Sequence, residues 1–214
     1  MKTIYDKYDK NKIPSLPRAL FDGRIIIIFT KADCDKAVSY LLRQKILGID
    51  TETRPSFRRG IMHQVALLQV STYDTCFLFR LNMTGITPSI RQLLEDATVP
   101  KVGLSLHDDL RMLSKRADFK PGWFIELQHE VLELGIQDMS LQKIYANLFA
   151  KKICKNQQLS NWEAETLSQA QQLYAATDAW ACIHIHEEIL RLKREDNYIL
   201  EMTSELSESP ALKA

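Results

Sequence analysis

The sequence has almost no excess charge of either sign: 28 Lys and Arg stand against 27 Asp and Glu, a formal net charge of +1. That excludes the strongly basic footprint of proteins that hold DNA by bulk charge neutralisation and leaves short, site-focused engagement. No apolar run reaches the length a membrane span needs, and Met1 to Pro17 is polar and Lys-rich, without the apolar centre of a signal peptide. A soluble, cytoplasmic protein with no membrane partner is the expectation. The four cysteines, Cys34, Cys76, Cys154 and Cys182, are far apart and form no Cys-x-x-Cys pair. This removes a zinc ribbon and a redox motif and points to reduced, partly buried thiols. Internal repeats, low-complexity runs and interior linkers are missing too.

What is present is enough apolar residue, 45% of 214, to bury a full core. The expected organisation is an N-terminal arm over residues 1–19, a single domain over 20–195 and a C-terminal tail over 196–214. Both ends read as solvated and disordered, as chain ends usually are. Between them Arg24 to Phe29 reads as a buried strand, Ala32 to Gln44 as a helix and Ile46 to Glu52 as the next strand. Gln64 to Val70 and Cys76 to Phe79 continue as a meander around the polar turn Ser71 to Asp74. A helix near Ser89, a short strand at Lys101 to Leu104, and mostly helical sequence from Leu106 to Lys193 complete an α/β domain with a mixed sheet.

Three acidic motifs interrupt this apolar framework. In Gly48-Ile-Asp-Thr-Glu-Thr53, strand alternation sends Gly48, Asp50 and Glu52 to one face, so two acids sit side by side at a strand end with Gly48 leaving room beside them. Solubilising charges on an edge strand are the alternative. In the helix that follows Val102-Gly-Leu104, Leu106, Asp109, Leu110 and Leu113 share a side. Asp108 faces away and, at Ser-x-x-Asp spacing from Ser105, has a local task at the helix N-terminus. Asp109 has no such task; a carboxylate on an apolar face is costly unless paired or near a metal, and its place in the first turn favours the ionised form. In the last long helix Tyr174, Asp178, Ala181, Ile185, Ile189 and Leu192 form one stripe, headed by a phenol and a carboxylate that can reach a common point. Taken alone, Tyr174 also reads as a core tyrosine bonded to a backbone carbonyl.

Carboxylates gathered within a few ångströms repel one another by about 3 kcal/mol per pair at ~5 Å and an effective dielectric of ~20. They need cations, and oxygen ligands without a Cys or His set select Mg²⁺ or Mn²⁺ over zinc. Two such ions about 4 Å apart suit an in-line phosphodiester displacement. His184 and His186, two apart on a helix, diverge by about 200° and cannot chelate one ion together.

The order Asp50, Glu52, Asp109, Tyr174, Asp178 resembles the DEDDy family of 3′-to-5′ exonucleases, in particular its Werner-type branch and, more distantly, ribonuclease D. The likeness extends through Thr51 to Pro55, Arg59-Gly60, Val65 to Gln69, Ser160-Asn-Trp162 and Tyr174 to Ala179, and covers roughly Leu20 to Leu192. It implies a ribonuclease H-like fold and two ions, Mg²⁺ or Mn²⁺, with Asp50 bridging both, Glu52 and Asp178 completing one and Asp109 holding the second through water. Tyr174 would orient the attacking water, and nucleoside 5′-monophosphates would leave singly from nucleic-acid 3′ ends. DNA is slightly favoured; an exoribonuclease trimming RNA ends and a non-catalytic nucleic-acid-binding module of the same fold are the alternatives. Glu126, in Phe124-Ile-Glu-Leu127, stands where relatives often carry Asp and has no role in this reading. Thr51, Arg58, Arg59, Met62, Lys152, Lys155 and Trp162 are the candidate substrate contacts. For the charged members a solvated basic face is the equal alternative, and for Trp162 a loop anchor is favoured over a stacking platform.

Overall fold

The computed structural model describes residues 1–58, 60 and 62–203. Strand β1 (Lys2–Tyr5) precedes β2 (Arg24–Ile28), helix α1 (Lys31–Leu41) and β3 (Leu47–Thr53). Then come β4 (Val65–Ser71), β5 (Thr75–Arg80), α2 (Leu81–Thr84), α3 (Pro88–Glu95), β6 (Lys101–Gly103) and α4 (Leu106–Ser114). The second half is helical apart from β7 (Phe124–Glu126), with α5 (Leu127–Glu133), α6 (Leu141–Phe149) and α7 (Gln169–Glu195), and it closes on β8 (Tyr198–Glu201).

Six strands form a mixed sheet in the order β2-β5-β4-β3-β6-β7, antiparallel around β4 and parallel elsewhere. β4 turns into β5 because Thr72 organises the corner: its amide donates to the Thr75 carbonyl and its hydroxyl accepts from the Thr75 amide. Side-chain caps start the larger helices: Thr30 accepts from the Asp33 amide at α1, Thr87 from Ile90 at α3, and Ser168 forms a reciprocal capping box with Gln171 at α7. One face of the sheet packs Leu47, Ile49, Leu68 and Phe79 against α1, α3 and α4. The other packs Val102, Leu67 and Leu78 beneath α5, α6 and α7. The result is a sheet with helices on both faces.

Two expectations change. The isoleucine run of β2 lies at the outer edge of the sheet, and Ile25, Ile26 and Ile27 are only half-buried while Ile28 is buried, because β5 covers one side alone. The described parts of the two end segments are not loose: β1 and β8 pair in parallel from Lys2↔Tyr198 to Tyr5↔Glu201 and bury Ile4, while residues 204–214 of the expected tail lie outside the described residues. Asn147 of α6 bonds both the amide and the carbonyl of Tyr5, and Asp6 accepts from the amide and hydroxyl of Thr203. These long-range partners leave no local sequence signal.

Candidate active site

β3 lies between β4 and β6, so Asp50 and Glu52 are not edge-strand charges. Pairing of β3 with β6 stops at Gly48↔Val102, two residues short of Asp50, while pairing with β4 continues through Glu52↔Leu67. The carboxyl end of β3 is therefore unpaired on one side, the kind of strand end beside which α/β proteins place their sites. Across that end runs α7. A Cβ on Gly48 would stand 1.9 Å from the Ala179 carbonyl oxygen, so the space beside the acids is filled by the helix backbone. This close approach sets Asp178 over Asp50 and Glu52.

Asp50, Glu52 and Asp178 each offer a carboxylate oxygen within 4.8 Å of the others. Asp50 is half-buried and the other two are buried. One oxygen of Asp178, Oδ1, is buried with no hydrogen-bond partner. Asp109 comes from the opposite side of β3, where the Thr51 hydroxyl donates to its Oδ1 at 2.6 Å. It stands outside the compact triad yet close enough for its charge to act on Asp50 and Glu52.

Burial dominates the electrostatics. It pushes Asp50 well above the usual carboxylate range, helped by Asp109 and Asp178, and does the same to Glu52, helped by Asp50. It lifts Asp178 to about 7 against the opposing pull of the Tyr174 hydroxyl and the Lys155 ammonium. Asp109 rises to about 6 through burial, with the charges of Glu126 and Asp108 adding to it, and these override the Thr51 bond. Burial and the neighbouring carboxylates also raise the Tyr174 phenol, which stays protonated at neutral pH. An all-oxygen cluster whose charges are mutually unfavourable, with an unpartnered buried oxygen, fits hard divalent cations.

The triad and Tyr174 line a cleft of about 250 Å³ together with Lys155, Gln158 and Ser140. Of the candidate substrate contacts, Lys155 is exposed on this wall. Arg58 and Met62 are exposed on the loop after β3, and Arg59 lies outside the described residues. Two candidates are placed elsewhere, and a third, Thr51, lines the cleft. Trp162 is completely buried and packs its ring 6.0 Å from that of Tyr174, so it has no face to offer a base. Lys152 turns its ammonium to the Pro14 carbonyl and its backbone to Pro17 and Ala19. Thr51, on the cleft wall, donates its hydroxyl to Asp109. The histidines also find other partners: His186 pairs with Glu130 at 2.7 Å, and His184 packs against Trp180 with the rings tilted by 48°.

Comparison with known proteins gives this geometry a family. A 3′-5′ exonuclease family model matches residues 25–193. The chain belongs to the 3′-5′ exonuclease family. The WRN bifunctional 3′-5′ exonuclease/ATP-dependent helicase of Mus musculus is 28% identical over 214 residues, covering 90% of this chain but 15% of that protein. A 3′-5′ exonuclease of Arabidopsis thaliana is 31% identical over 193 residues, covering 81% of this chain and 66% of that one. The chain thus spans less than two thirds of either relative. Among solved structures, the Nibbler EXO domain of Aedes aegypti superposes with a TM-score of 0.74 at 20% identity, over 82% of this chain and 91% of that one. At that identity the likeness establishes the fold, a ribonuclease H-like mixed sheet flanked by helices.

Sequence reasoning missed Glu126. Its carboxylate accepts the Ser105 amide at 2.9 Å, the Leu106 amide at 2.6 Å and the Gln128 amide at 3.0 Å. The cap of α4 expected from Ser105 and Asp108 is not formed: the Ser105 side chain makes no cap bond, and Asp108 is exposed and pairs with Arg111. The signal that could have found Glu126 was an acid at the junction of a short strand and a helix, the place where N-terminal amides gather.

Proposed function

We propose that this family member removes nucleotides one at a time from nucleic-acid 3′ ends, with DNA slightly favoured, using two divalent cations, Mg²⁺ or Mn²⁺. The observation that carries the reading is the triad of Asp50, Glu52 and Asp178, whose oxygens converge within 4.8 Å and leave Asp178 Oδ1 unpartnered. In this reading those three hold one cation, and Asp50 and Asp109 hold the second, Asp109 through water. Bound there, the cations would supply Lewis acidity for the attacking water and for the departing oxygen.

The protein's own groups do the rest. Asp50 and Glu52, anchored on a central strand, fix one side of the centre, and Asp178 on α7 fixes the other, so their spacing is set by the strand–helix contact at Gly48. The protonated Tyr174 phenol orients the water as a hydrogen-bonding group rather than as a base. Attack of the water oxygen on phosphorus breaks the bond to the preceding O3′. The products are a nucleoside 5′-monophosphate and a chain one residue shorter with a new 3′-hydroxyl. Lys155, on the cleft wall, and Arg58, on the loop after β3, supply positive charge for the phosphates; that role belongs to the same proposal, as does a cytoplasmic setting for the four free cysteines. Among the described residues no helix is long and apolar enough to cross a membrane. The preference for DNA follows the likeness to the WRN protein.

The test is a time course on 5′-labelled single-stranded DNA, recessed-end duplex and RNA of one sequence, with Mg²⁺, Mn²⁺ or chelator, beside Asp50→Ala. A 3′-shortening ladder that requires metal and Asp50 is expected, faster on DNA. A faster ladder on RNA moves the substrate to RNA ends, and binding without cleavage on all three polymers rejects catalysis.

A further inference from the structure

We infer that Glu126 is a positioning residue of the catalytic centre: its single carboxylate ties the starts of α4 and α5 together and thereby sets where Asp109 stands relative to β3. The inference rests on the reading of Asp109 as the holder of the second cation.

Glu126 ends β7, and its Cα pairs in register with Gly103, the last residue of β6. Two residues beyond Gly103, Ser105 takes a left-handed conformation with φ 61° and ψ 32°. A residue with a side chain is uncommon there and is held by its surroundings. The surroundings are visible. The Ser105 amide donates to Glu126 Oε1, the Leu106 amide to Oε2, and the Ser105 hydroxyl accepts from the Gln128 side-chain amide at 2.9 Å. The same Oε1 accepts the Gln128 amide at the start of α5. One half-buried carboxylate thus satisfies amides at the first turns of two helices, a charge-assisted arrangement that is stronger than neutral caps.

Asp109 sits in the first turn of α4, one turn beyond this clamp. It is the carboxylate that does not belong to the compact triad, and among the described residues its side chain has a hydrogen bond only from Thr51. Its distance from Asp50 is therefore governed by where α4 begins. Releasing the clamp lets Ser105 relax from its left-handed conformation and α4 drift along the sheet. In the same way, residues that orient metal ligands from behind alter metal affinity by about 10- to 100-fold when changed.

The experiment compares the wild type with Glu126→Gln and Glu126→Asp. The substitution to Gln keeps one acceptor oxygen but sets an NH₂ group against the Leu106 or Ser105 amide. The substitution to Asp keeps the charge on a shorter arm. Two readouts are taken well below the melting temperature or as melts: cleavage rate against Mn²⁺ concentration, and the Mn²⁺ concentration needed to raise Tm. We expect Glu126→Gln to need at least about tenfold more Mn²⁺ for half-maximal rate and for half of the Tm increment. Glu126→Asp should fall between Gln and wild type, and it carries the test should Glu126→Gln fail to fold. A merely structural cap would lower Tm in chelator and leave both Mn²⁺ midpoints unchanged, and that result overturns the inference while the nuclease reading stands. A wild type that neither cleaves nor responds to Mn²⁺ overturns both.

Discussion

The contact of Gly48 with the backbone of α7 can be tested by adding one methyl group. In Gly48→Ala the new Cβ would lie 1.9 Å from the Ala179 carbonyl oxygen, 2.9 Å from its carbon and 3.0 Å from Ile183 Cγ1, whereas ordinary contact starts at 3.4 Å. The obstructing atoms are backbone in the middle of a long helix, so no rotamer change relieves them; β3 and α7 must separate by about 1.5 Å, and overpacking of this kind costs about 1–3 kcal/mol. With a backbone carbonyl as the obstacle the upper value applies. For a domain of this size about 2–4 °C of Tm accompanies each kcal/mol, so a fall of roughly 6–12 °C is expected. Activity should suffer more than stability, because Asp178 adjoins Ala179 and moves away from Asp50 and Glu52 with it. A misplacement of ~1 Å at reacting groups costs about 100-fold in rate. The assays are thermal melts in chelator and in Mn²⁺, beside single-turnover cleavage. A variant that melts within about 1 °C of the wild type and keeps its Mn²⁺ increment would refute the argument that this contact sets the spacing of the site.

Removing a charge from the triad should stabilise the metal-free protein while disabling it. Asp178→Asn removes a buried carboxylate whose ionised form burial opposes, so its Tm in chelator should exceed that of the wild type and its response to Mn²⁺ should vanish; a lower Tm in chelator would count against a strained apo cluster. The pH dependence has a definite sign. Asp109 and Asp178, raised to about 6 and about 7, stay protonated in the folded state where the unfolded chain has already ionised. Their contribution to stability is full below the ordinary Asp value and is lost as pH rises through 6 and 7. His184, whose proton affinity is lowered by burial, works the other way in the same window, but its effect cancels when melts with and without Mn²⁺ are compared. Because cations compete with those protons, the Mn²⁺-induced rise in Tm should grow between pH 5 and about 7.5. An increment independent of pH would remove the raised carboxylates from the metal equilibrium.

Much of the site was legible because it obeys short periods. Alternation along β3 put Asp50 and Glu52 on the face of Gly48, and the stripe from Tyr174 to Leu192 along α7 is buried from Asp178 onward. The separation of His184 from His186 followed from the helical rotation. What escaped has a different physical character. Glu126 acts through backbone amides brought from two other segments, β7 has only three residues, and the pairing of β1 with β8 joins opposite ends of the described chain. For Trp162 the favoured reading, an anchor rather than a stacking platform, agrees with its complete burial, and its place among the candidate substrate contacts does not. The Ser105–Asp108 cap failed for a further reason: a left-handed Ser105 cannot aim its hydroxyl at the amides of α4, and a competing acceptor from β7 was already in place.

The β1–β8 seam dictates an order of events during synthesis. Tyr198 leaves the ribosome 196 positions after Lys2, which at about 5–20 residues per second means a wait of roughly 10–40 s. Throughout that interval Ile4 has no partner strand, and α6 cannot complete its grip on Tyr5. Asp50, Glu52, Asp109, Tyr174 and Asp178 all emerge before β8 begins. The residues of the centre can therefore come together in a nascent chain whose seam is still open, and closure of the seam follows their emergence.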